Sequence, residues 1–208
     1  MAALCGASWL WAAEPQLEKT DAAPPESVSA EIREALGPDA LHVVTDGKSL
    51  ADFWLRPEVP VAEVGSTELG VGFGHLRQCT LLGVVGLSEA WSDYKDKPIP
   101  AGVYTLRYAI QPADGNHMGV ALYRDYLLLV PVSDDTTVDV DWSPELLWEK
   151  SKASTGTPHP AILALFPIWE ELSEPGLVRN EMDQWTLAVP VGSVSPVVGL
   201  VVEGHGEI

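Results

Sequence analysis

The sequence predicts an all-β fold: an antiparallel two-layer β-sandwich with one or two short helices. Three observations lead there. From residue 41 onward, short β-branched and aromatic runs are separated by clusters of Gly, Pro and Asp. Residues 103–110 alternate, with Tyr104, Leu106, Tyr108 and Ile110 on one face and Val103, Thr105, Arg107 and Ala109 on the other. Nine candidate strands follow one another, and so many short strands bury their faces in two packed sheets or a barrel rather than in one flat sheet.

The elements follow in chain order. Residues 1–13 (MAALCGASWLWAA) hold no charge and end on Ala12 and Ala13, just before Glu14 and Pro15. About a dozen apolar residues are too few to span a bilayer, so this stretch reads as a truncated secretory signal peptide without its basic segment, with a frayed apolar tail as the alternative. Leu4 before Cys5 speaks against a lipoprotein anchor. Residues 14–40, rich in Glu, Ala, Pro and Ser, read as a linker with a short helix over 27–36, closed by Gly37 and Pro38. Up to about Pro25 the composition predicts poor packing on the domain. Residues 41–208 form the sandwich domain, with strands expected over 41–45, 52–55, 78–87, 102–111, 123–132, 137–142, 161–166, 184–189 and 197–203.

Within that domain, Arg107 on the second face of the 103–110 strand predicts an outer face partly in contact with water. The run Leu127, Leu128, Leu129 lacks alternation and predicts a strand covered on both faces. A helix is expected over 144–152: Ser143 is the N-cap, Pro144 the first helical residue, Glu145 lies in the first turn, and Lys150 and Lys152 lie at the end. Once residues 1–13 are removed, Cys79 is the one cysteine left, so no intrachain disulfide forms, and its apolar neighbours predict a buried strand thiol.

Charge narrows the partners. The chain has 208 residues, with 12 Lys and Arg against 30 Asp and Glu, a formal net charge of -18. That excludes nucleic acid or anionic lipid bound through a broad basic face. No later apolar run reaches the length of a membrane span. A small molecule, a glycan or an envelope protein remain as partner classes, and no motif requires a cofactor.

The segment 98–135 (PIPAGVYTLRYAIQPADGNHMGVALYRDYLLLVPVSDD) resembles the core of an uncharacterised family of secreted bacterial proteins. Its Pro-x-Gly-x-Tyr-x-Leu portion, here Pro100, Gly102, Tyr104 and Leu106, is similar to a wider group of bacterial domains of unknown function. Weaker likeness extends to residues 40–55 and 152–165. The resemblance implies an antiparallel β-sandwich in an exported bacterial protein, periplasmic or extracellular, and carries no catalytic assignment.

The loop 111–119 (QPADGNHMG) holds more chemistry than turning a chain requires. Asp114 and Asn116 either cap backbone amides or, with His117, form a ligand site to which Arg107, Arg124 and His159 contribute. A metal reading draws on His117, Met118, His159 and His75, because imidazole and thioether suit copper. Asp134, Asp135, Asp139 and Asp141 offer calcium-type oxygens, but without a calcium-loop motif they read as a solvated face. Alternation puts Arg124 and Asp125 on opposite faces, so each needs another partner, Asp114 or Glu89 for the arginine. Gly86 to Ala90 lacks the strand-turn-helix of a nucleophile elbow, and Gly70, Gly72 and Gly74 open no helix that could cradle phosphate. Trp54, Trp142, Trp148 and Trp185 read as core; Trp91 and Trp169 are left as possible sugar-stacking platforms. The expected function is that of an exported, non-enzymatic structural or ligand-binding envelope protein, with carbohydrate among its ligands and no catalytic residue. The alternative is a copper-like or calcium-binding protein, or a metal-dependent enzyme, using the Asp114 and His117 loop.

Overall fold

A computed structural model describes residues 14–93, 97–113 and 122–204. In chain order they form β1 (Gln16–Thr20), α1 (Ala30–Ala35), β2 (Ala40–Thr45), β3 (Lys48–Leu55), β4 (Leu81–Leu87), β5 (Trp91–Ser92) and β6 (Pro98–Ile99). There follow β7 (Gly102–Ile110), β8 (Asp125–Pro131), α2 (Pro144–Thr155), β9 (Ile162–Ile168), β10 (Gly176–Arg179), β11 (Trp185–Val189) and β12 (Val197–Glu203). The fold is all-β and antiparallel with two short helices, and among the described residues no helix is long and apolar enough to cross a membrane. Residues 1–13, read as a signal peptide, lie outside the described residues.

Ten strands make one hydrogen-bonded sheet in the order β1-β2-β3-β4-β7-β8-β9-β12-β11-β10. Up to β9 neighbours in sequence are neighbours in the sheet, apart from the small β5-β6 hairpin. The chain then crosses to the far edge and returns through β10, β11 and β12, a Greek-key ending. The two halves of this sheet are joined, and β9 joins them. Its first residues pair with β8 (Leu163 opposite Leu127) and its last with β12 (Ile168 opposite Val197), so one strand bridges the two halves. The inner face wraps a single core containing Phe53, Val85, Leu106, Tyr108, Leu127, Leu165, Leu187 and Leu200. The edge strands β1 and β10 come to lie beside each other, each sending a leucine, Leu17 and Leu177, against that core.

Local chemistry explains the elements. Asp46 and Gly47 both have positive φ, 50° and 71°, and Thr45 pairs with Lys48. This is the two-residue turn whose twist suits a hairpin and whose second position favours glycine. Helix α2 starts as expected, with the Ser143 hydroxyl accepting from Leu146 N at 3.3 Å. It runs three residues past the expected end and stops at Gly156, which adopts φ 62° and donates its N–H to Lys152 O. Ser151 and Ser154 tie it to the sheet by donating to Ala161 O and Leu129 O at 3.0 and 2.7 Å.

Several expectations are corrected. The tract 14–40 is attached rather than a loose linker: β1 pairs with β2 along its whole length, and Ile32 and Val28 are buried with Trp54, Leu81 and Val84. Trp54 Nε1 donates to Ala22 O at 2.7 Å. Residues 137–142 form no strand, because they pass over the outer face of the sheet as irregular chain. The outer face of β7 is dry: Thr105, Arg107 and Ala109 are all at most 1% exposed, covered by that chain and by α2. Cys79 is buried as expected, but it sits just before β4 with φ 71°, not within the strand.

Candidate ligand-binding site

Among the described residues, the candidates named from sequence do not converge. Arg107 is wholly buried. Its Nε and Nη2 donate to Asp135 at 2.6 and 2.8 Å, and its remaining donors reach Cys79 O, Thr137 O and Val138 O. With Trp142 packed on the guanidinium at 4.9 Å, no donor is left for a ligand, so this arginine is structural. Asp135, expected on a solvated face, is correspondingly buried, and its Oδ2 also accepts from Thr105 Oγ1. Arg124 and Asp125 stand apart as alternation requires. Arg124 pairs with Glu68 at 2.9 Å and donates to Gln111 O; of its two expected partners, Asp114 lies outside the described residues and Glu89 forms no ion pair with it. Asp125 is fully buried and accepts from Gly72 N at 2.7 Å, Phe73 N at 3.1 Å and Tyr108 Oη at 2.6 Å. Burial pushes the Asp125 carboxyl above the usual carboxylate range, against the pull of these donors; burial and the neighbouring Asp125 charge push the Tyr108 phenol up as well.

Asp114, Asn116, His117 and Met118 lie outside the described residues. Gln111 and Arg124 flank that segment at one end of β7 and β8, whereas His159 follows α2 beyond the other end of β8, where its carbonyl accepts from Thr155 and Thr157. Seven residues of extended chain separate the two ends, about 20 Å. His75 is exposed, with Nδ1 3.1 Å from Ala62 O. Among the described residues no group of three or more His, Cys, Asp or Glu side chains could hold a metal ion.

The mouth of the curled sheet is better built for a ligand. There the β2–β3 turn, the chain at Trp91 to Asp93, the start of β9 and the end of β12 enclose a cavity of about 370 Å³, within the range of small-molecule sites. Leu163 and Val202, both buried, and half-buried Leu50 form apolar wall. Asp46, Asp93 and Glu203 bring carboxylates, Thr45 and Ser92 hydroxyls, and half-buried Trp91 an indole; none of the described lining residues is basic. Asp93 is fixed by accepting from Lys97 N at 2.9 Å, and Trp91 by pairing with Ile99. Glu203 differs: its Oε2 is buried and, among the described residues, has no hydrogen-bond partner. Buried polar atoms are nearly always satisfied, so an orphan acceptor on a residue that lines a cavity is the kind of group a ligand donor completes. The chain leaves β12 through Gly204 at φ 118°, where a side chain would press on Gln184 at 3.1 Å.

The comparisons offer no relative. The chain matches no family model, no curated protein and no solved structure. Its site therefore rests on its own geometry. Of the lining residues only Trp91 stood out in the sequence. Glu203 carried a faint signal as the acid that ends an apolar strand (VVGLVVE), and Asp46 as half of a hairpin turn. Nothing local ties either to Trp91, since four separate chain segments meet at the mouth. Of the other platform candidates, Trp169 is 73% exposed on an open surface rather than in this cavity.

Proposed function

We propose that the protein is an exported, non-enzymatic binding protein that takes a neutral polyhydroxyl ligand of carbohydrate type in the mouth cavity. The observation that carries this reading is the orphan Glu203 Oε2 on the same cavity wall system as Trp91. A sugar supplies both complements: hydroxyl donors for carboxylate oxygens, and an apolar C–H face for an indole. The lining holds acceptors and no described cation, which disfavours anionic ligands and agrees with a net charge of -18. Export rests on the uncharged opening of the chain and on the resemblance of residues 98–135 to secreted bacterial proteins.

Calorimetric titration of the full chain with a panel of neutral mono- and disaccharides tests the proposal. At least one sugar is expected to bind saturably and to lose about tenfold or more in affinity in Glu203→Gln and in Trp91→Ala, the weight of one good hydrogen bond to a charged group. Absence of saccharide binding, or binding indifferent to both substitutions, overturns it; binding of organic cations alone replaces the sugar by a charged ligand. Cell fractionation checks export, with cytoplasmic retention of the mature chain as the contrary result.

A further inference from the structure

A second cavity, of about 260 Å³, opens where the chain after β3, the chain before β4 and residues 138–140 meet, at the end of the sheet opposite the mouth. Its lining inverts the chemistry of the first. Arg56 and Arg77 both contribute, in a protein with 12 basic residues against 30 acidic ones. Among the described residues, the guanidinium of Arg56 makes a single hydrogen bond, from Nη1 to Leu81 O at 3.2 Å. Its Nε is buried without a partner. Arg77 is exposed, and its side chain makes no hydrogen bond or ion pair with the described residues. Arg107 lies behind the wall, its charge already spent on Asp135.

The rest of the lining leaves these cations unmatched. Cys79 stays a neutral thiol: burial pushes it up, and its Sγ donates to Trp142 O at 3.5 Å. Asp139 is exposed at the rim and attracts Arg56 at long range without forming an ion pair. Burial, reinforced by the like charge of Arg107, works against the Arg56 cation. A guanidinium whose Nε edge lacks an acceptor presents the side-on fork that binds two oxygens of one anion. Of the two buried side-chain atoms without partners among the described residues, one is an acceptor on an acid that lines a cavity without described bases, and the other a donor on an arginine that lines a cavity with a second arginine.

We infer that this second cavity is an oxyanion site, in which Arg56 engages a carboxylate or phosphate group side-on and Arg77 closes over it from the rim. The site stands independently of the sugar reading, because it shares no residue with the mouth cavity.

The test is calorimetric titration of the full chain with inorganic phosphate and, separately, with acetate, at constant ionic strength in a chloride buffer. One of the two is expected to bind saturably at one site, the stronger identifying phosphate or carboxylate as the group the cavity takes. Arg77→Gln, an exposed change that leaves the fold intact, is expected to weaken that anion about tenfold, and Arg56→Lys, which keeps the charge but loses the fork, to weaken it as much. Arg179→Gln, far from the cavity, is expected to have no effect. Failure of both anions to bind at millimolar concentration, or equal weakening by Arg179→Gln, overturns the inference.

Discussion

Replacing Asp135 by Ala probes what holds the outer layer of the sheet. Both side chains of the Arg107 and Asp135 pair are 0% exposed. The substitution removes two charge-assisted bonds, at 2.6 and 2.8 Å, and the acceptor of Thr105 Oγ1 at 2.5 Å. Arg107 keeps its three carbonyl partners but remains a buried cation without a counter-charge, a situation that costs about 3–5 kcal/mol. Against a total stability of about 5–15 kcal/mol for a domain, that is a large fraction. In urea denaturation followed by tryptophan fluorescence, the midpoint is expected to fall with little change in slope. Arg107→Met should cost a similar amount, because it strands the carboxylate and frees Cys79 O, Thr137 O and Val138 O. The double variant should cost less than the two single costs added, since each single change is mostly the penalty of an unpaired charge. A loss under about 1 kcal/mol for Asp135→Ala would mean that water reaches the pair, and would refute the covered outer face.

Two further outcomes follow from the packing. Burial raises the Asp125 carboxyl, so between the unfolded carboxylate value near 3.9 and the raised folded one the native state holds more protons than the unfolded state. Stability from this group is then greatest at the acid side of that window and falls as pH rises through it. The stability difference between the native sequence and Asp125→Asn, from denaturation at a series of pH values, should shrink with rising pH across that window; a constant or growing difference contradicts the assignment. Ile32→Ala, in the tract whose composition resembles a linker, should cost about 2–5 kcal/mol because Ile32 is fully buried, and a change within about 0.5 kcal/mol, as at an ordinary surface site, would mean that α1 does not dock.

The parts of the fold legible in sequence are those whose signals are local. The strand character of β7, the triple leucine of β8 and the N-cap of α2 are each written within about ten residues, and each predicts what is found. Strand β1 is hidden because its burial is slight and its pairing partners lie twenty or more residues away. Arg107 reads as a wet outer-face residue for the same reason: Asp135, 28 residues on, supplies the charge that lets it be buried. The single continuous sheet depends on β9 changing partners midway, a register property that no composition reveals. The candidate sites follow suit, for Glu203 and Trp91 are separated by most of the domain and meet because the sheet curls.

The most direct test of the proposed function is a crystal structure of the chain with a saccharide selected by titration. The sugar ring is expected in the mouth cavity, stacked on Trp91, with a hydroxyl within about 2.5–3.0 Å of Glu203 Oε2. A sugar bound instead at the exposed Trp169, with the mouth cavity vacant and Glu203 Oε2 still unpartnered, would contradict it.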